Sequence, residues 1–106
     1  MLILPIKKQW YDMILAGKKT EEYREIKPYY TKRFLSCHLL KETLDKAGED
    51  IVMVPDRPVM IKFRNGYSEN SPSFRAICSL SIGTGKIEWG AEPLKHYYIL
   101  RILSIE

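Results

Sequence analysis

The sequence predicts an α+β fold built on a curled, mainly antiparallel sheet of roughly five strands, with two or three helices beside it. Three observations predict it. Apolar residues recur at helical spacing in the first half of the chain. In the second half they alternate with polar ones, as half-buried strands require. The late strands follow one another with no helix between them, which favours an antiparallel sheet over a doubly wound one. The chain has 106 residues, one domain's worth at the usual ~100–150, and residues 1–106 are read as a single domain.

Leu2-Ile3-Leu4 reads as a short buried strand closed by Pro5. Ile6, Trp10, Met13 and Ile14 share one helical face, predicting a helix over 7–16 with Trp10 in the core and Gly17 as its stop. Residues 19–26 change period. Thr20, Glu22, Arg24 and Ile26 fall on one strand face, and Glu21, Tyr23 and Glu25 on the other. Pro28 suits the first position of a second helix. Leu35, Leu39, Leu40, Leu44 and Ala47 extend a helical stripe over 34–47, supported by a Glu42–Lys46 pair and ended by Gly48. Residues 49–58 read as a loop or short strand broken by Pro55 and Pro58. Val59, Ile61 and Phe63 alternate in a strand that stops at Asn65-Gly66. Phe74, Ala76, Cys78, Leu80 and Ile82 form the cleanest strand, which Gly83-Thr84-Gly85 breaks. Tyr97–Ile105 is apolar on both faces, and so is expected to be central.

Composition narrows the class. Hydrophobic residues make up 45% and charged residues 28%, enough apolar surface to exclude disorder as the main state. No apolar run approaches the ~18 residues of a membrane span. The start has neither the basic lead-in nor the cleavage site of a signal peptide. Two cysteines, Cys37 and Cys78, cannot build a disulfide framework and fit core slots. A reduced, cytoplasmic protein is expected. No cofactor or metal is expected either. Gly83-Thr84-Gly85-Lys86 puts Leu80 and Ile87 where a phosphate loop needs glycine and a hydroxyl. Cys37-His38, Cys78 and His96 lack zinc-ligand spacing.

The net charge of +4 is uneven. Residues 1–35 hold eight Lys/Arg against four acids, leaving nine of each for the rest. A basic patch of this kind attracts phosphates or anionic surfaces. Within it, Glu22 and Arg24 share a strand face that would point inward in a small barrel, where charges are costly unless they pair or meet a ligand. Lys19, just after the Gly17 turn, can swing to the same side. Aromatic residues lie among the basic ones, the combination that stacks bases and holds phosphates. Trp89, in a loop, and Tyr67, after Arg64-Asn65-Gly66, are the two that packing explains least.

Gly17-x-Lys19-x-x-Glu22-x-Arg24, between a short amphipathic helix and a strand, resembles the signature of the ASCH domain family. Trp10–Gly17, Arg24–Tyr29, Phe63–Tyr67, Gly83–Gly85 and Glu88–Pro93 are similar to its small bacterial and phage-borne members, so the resemblance spans essentially the whole chain. It implies a PUA-like fold, a small curled β-barrel with flanking helices. It also implies a cleft for RNA or a nucleoside lined by Lys19, Glu22 and Arg24. One branch of the family hydrolyses the amide of N4-acetylcytidine with a lysine, a threonine and a glutamate. Lys19 matches the lysine. The threonine's position, three residues on, is Glu22 here, and Glu88 or Glu92 stands where the glutamate is expected.

The leading expectation is an RNA- or nucleotide-binding module using Lys19, Glu22, Arg24, Arg64, Tyr67 and Trp89. The alternative is a hydrolase of a modified nucleoside or of RNA, with Glu22 as general base and Lys19 beside it. A third is an interaction module whose basic face meets an acidic protein.

Overall fold

The computed structural model describes residues 1–106. In chain order the elements are β1 (Leu2–Ile6), α1 (Lys8–Leu15), β2 (Glu21–Glu25), α2 (Pro28–Ser36), β3 (Leu40–Leu44), β4 (Ile51–Pro55), β5 (Val59–Asn65), β6 (Ser73–Thr84) and β7 (His96–Ile105). A single 3₁₀ turn, Ile87–Trp89, precedes β7. Five strands form a curled half-barrel in the order β1-β5-β6-β7-β2, with β1 and β2 at its two free edges. The β5–β6, β6–β7 and β7–β2 pairs are antiparallel, and β1 runs parallel to β5. A register shift opposite Ile77/Cys78 marks a bulge between β6 and β7. Bulges add local twist and bend a sheet toward closure.

The core lies on the concave face. Leu4, Ile61, Phe63, Ala76, Cys78 and Leu100 from the strands pack with Ile14 of α1 and Phe34 of α2. The alternation read over 59–63 and 74–80 is the inward face, but Ile82 lies past the core's edge and is half-exposed. β7 is buried on both faces only over Tyr97–Leu100; beyond it Leu103 and Ile105 are half-exposed. Tyr98 and Leu100 enter the main core, whereas Tyr97 and Ile99 join Ala91 in a small second cluster with Tyr23 packed on it. Cys78 is fully buried and Cys37 half-buried. No helix is long and apolar enough to cross a membrane.

The expected helix over 34–47 is a correction. α2 ends at Ser36, and His38 takes a left-handed φ of 70° that turns the chain out of the helix. Residues 40–44 instead pair with 51–55 in a two-stranded antiparallel ribbon. Ile51, Val52 and Val54 supply the β-branched partners that favour the strand state. Gly48 does not end a helix. It is the φ +72° residue of the ribbon's turn, where its N–H donates to the Asp45 carbonyl at 2.9 Å. Glu42 and Lys46 therefore do not share a helix face.

Candidate functional site

The register of β2 against β7 decides which of its side chains turn inward. Glu22 stands opposite Leu100 and Arg24 opposite Tyr98, both core-face residues, whereas Tyr23 stands opposite Ile99 on the other face. Directly paired residues point to the same side of a sheet. Two charged side chains thus enter the concave face at a free edge of the half-barrel. Glu22 is 6% exposed.

These charges are compensated by one another. Glu22 Oε2 accepts from Arg24 Nη2 at 2.7 Å, and Glu22 Oε1 lies 3.2 Å from Lys19 Nζ. Lys19 has a fully buried side chain. Its ammonium donates to the Trp89 carbonyl at 2.8 Å and sits 4.9 and 5.0 Å from the ring centroids of Trp10 and Tyr23. Burial lowers its pKa from the ordinary lysine value, and the neighbouring Glu22 opposes that shift without cancelling it. Arg24 donates in addition to the Pro5 carbonyl at 3.0 Å and weakly to the Tyr30 hydroxyl at 3.4 Å. Burial acts to lower Arg24, but Glu22 and Tyr30 outweigh it and the guanidinium stays charged. Its Nε is buried without an acceptor.

Local sequence builds this arrangement. α1 ends at Leu15, and Gly17, just past its C-cap, has a φ of +73° that lets the chain reverse and aim Lys19 beneath the 3₁₀ turn. That turn ends at Gly90 with φ +102°, and a Cβ there would come within 3.0 Å of the Trp10 ring. Gly85 is needed for space rather than for φ. A Cβ at 85 would lie 2.6 Å from Tyr23 Cζ and 2.8 Å from Ala91 Cβ. The Tyr23 hydroxyl, held in that packing, donates to Glu21 and accepts the Lys86 N–H, both at 2.9 Å.

Between the edges β1 and β2 opens a cleft of about 630 Å³. Glu22, Arg24, Tyr67 and Trp89 line it, with Tyr67 almost fully exposed. Lys19 lies behind the wall rather than on it. Arg64 is half-buried on β5 and does not line the cleft, although Asn65 and Gly66 beside it do. Of the two downstream acids, Glu92 lines the cleft and Glu88 does not. Six aromatic residues contribute (Trp10, Tyr23, Tyr30, Tyr67, Trp89 and Tyr97), with the cations Lys7, Lys8, Arg24, Lys27 and Lys95 against the acids Glu22, Glu25 and Glu92.

Trp10 is a second correction. It is only partly buried and faces the cleft, because the core side of α1 is taken by Tyr11 and Ile14. Tyr30 and Lys95 were not singled out by the sequence. The run Lys27-Pro28-Tyr29-Tyr30 carried a signal for Tyr30, an aromatic residue near a basic one at a helix start. No family model, no curated protein and no solved structure matches the chain.

Proposed function

We propose that the chain is an RNA- or nucleotide-binding module of the ASCH, PUA-like kind, with its ligand in the cleft between β1 and β2. The observation that carries this reading is the convergence of six aromatic rings and five cations on one cleft. Its volume lies in the ~300–1,000 Å³ range of small-ligand sites. Base–aromatic stacking contributes about 1–3 kcal/mol per base, and Lys7, Lys8, Lys27 and Lys95 supply positive charge at the cleft for phosphates. The buried Lys19–Glu22–Arg24 network holds the wall in one geometry. Glu22 keeps lone pairs beyond the two it gives to cations, so it can accept from a base's amino group. Both its oxygens are committed to cations, an arrangement that favours this recognition role over the alternative, general-base hydrolysis.

Trp10 and Trp89 are the chain's two tryptophans and both line the cleft, so tryptophan fluorescence, excited selectively over the tyrosines, reports on this site. Titration with single-stranded RNA is expected to change that fluorescence saturably. Arg24→Ala, checked for folding, should weaken binding more than Lys46→Ala in the distant ribbon turn. Absence of any saturable change, with no binding by an independent method, would defeat the reading.

A further inference from the structure

A second cavity, of about 540 Å³, adjoins the cleft between β1 and the first turns of α2. The two share Pro5, Arg24, Lys27, Tyr30 and Tyr67, so they form one continuous groove that passes Arg24. Their chemistry differs. Three acids line the cleft, whereas no acid lines the second cavity, where Arg24, Lys27 and Arg33 meet Tyr29, Tyr30 and Tyr67. The Arg33 guanidinium lies 3.6 Å from the Tyr29 ring centroid, and its Nη1 is fixed by donating to the Tyr29 carbonyl at 3.2 Å. Tyr29 remains half-exposed. Tyr30 meets Tyr29 edge-on, with ring centroids 5.0 Å apart. A held guanidinium–phenol pair offers a flat, cationic ledge of the kind on which unpaired bases stack.

We infer that the groove takes a single-stranded RNA chain of at least two nucleotides. One base sits in the cleft, and its neighbour lies over Tyr29 and Arg33 in the acid-free cavity. The connecting phosphate passes Arg24 and Lys27. The acid content explains the division. A carboxylate beside the first base can read an amino group, whereas a cavity without acids places no repulsion on a phosphodiester. The inference rests on the nucleic-acid reading and deepens it from a nucleotide pocket to a strand-binding track.

The test compares AMP, CMP and UMP with the tetranucleotides A4, C4 and U4, using the native chain and the variants Tyr29→Ala and Arg33→Ala. Both residues sit on the exposed side of α2 and outside the first cleft. The preferred tetranucleotide is expected to bind about tenfold or more tighter than its monophosphate, the worth of one stacked base and its phosphate contact. Each variant should remove most of that gain while leaving monophosphate affinity unchanged. Equal affinity for monophosphate and tetranucleotide, or a length-dependent gain untouched by both variants, overturns the track and leaves the nucleotide pocket standing. Binding of neither class of probe overturns both.

Discussion

Arg24 Nη2, on one free edge of the half-barrel, lies 3.0 Å from the carbonyl oxygen of Pro5 on the other. A side chain thus bridges the gap that no strand fills. The same nitrogen holds Glu22, so Arg24→Ala removes the bridge and leaves a buried carboxylate with one partner fewer. Breaking a buried pair in this way costs about 3–5 kcal/mol. Arg24→Lys keeps the charge but not the fork that reaches Glu22, Pro5 and Tyr30 together, and should cost less. Urea unfolding measures both. A loss below about 1 kcal/mol for Arg24→Ala, the worth of a surface pair, would show that the bridge is not structural.

Tyr23 gives the fold an alkaline limit. Burial pushes its phenol up to about 12, and Glu21 and Glu88 add to the shift while the Lys86 N–H opposes it. The folded state therefore holds the proton more tightly than the unfolded chain, where tyrosine titrates near ~10. The stability this contributes is fully present below that lower value and is lost as pH rises toward 12. Tyr23→Phe should be less stable at neutral pH, having lost two hydrogen bonds at about 1 kcal/mol each. The difference between native and variant should shrink across the alkaline window. Denaturant melts at stepped pH test this, and a constant difference would refute it.

Gly85→Ala is expected to destabilise by about 1–3 kcal/mol, the range for overpacking a filled site. Both residues that the new methyl would meet, Tyr23 through its ring and Ala91 through its Cβ, belong to one packed cluster. Tyr23→Ala in the same chain should relieve much of the clash. Thermal unfolding of the two single variants and the double variant reads the coupling. Additive losses would show that the close approach is not the cause.

The chain is not expected to release acetate from N4-acetylcytidine through an acyl-threonine. On the proposed ASCH resemblance Glu22 stands where such a route needs its hydroxyl, and both its oxygens already face cations. A carboxylate attacking the amide would form a mixed anhydride, a poor intermediate without strong activation. Cytidine release is followed beside Glu22→Thr. Turnover of roughly 1 per second or more by the natural sequence, an ordinary enzymatic rate, would overturn the expectation.

Much of the sheet was legible because burial imposes a strict two-residue period. Phe74, Ala76, Cys78 and Leu80 could not exchange faces with their neighbours without exposing the core. The ribbon was not legible. Leu35, Leu39, Leu40 and Leu44 fit a helical stripe, yet beyond Leu40 the strand is exposed, and its state is set by pairing with 51–55 rather than by its own pattern. Alternation put Glu22 and Arg24 on one strand face, but that this face turns inward is set by their register opposite Leu100 and Tyr98. That Lys19 lies behind the cleft wall was not legible, because its position depends on the Trp89 carbonyl, 70 residues away in sequence.

Salt dependence of binding tests the central claim most directly. The basic residues between Lys7 and Arg33 are expected to make about three to five phosphate contacts with single-stranded RNA. At roughly −0.7 per contact, log Kobs should fall against log salt concentration with a slope of about −2 to −4. A slope in that range, read from the tryptophan fluorescence of the cleft itself, is the expected result. A slope near zero, or no binding at any salt concentration, would contradict it.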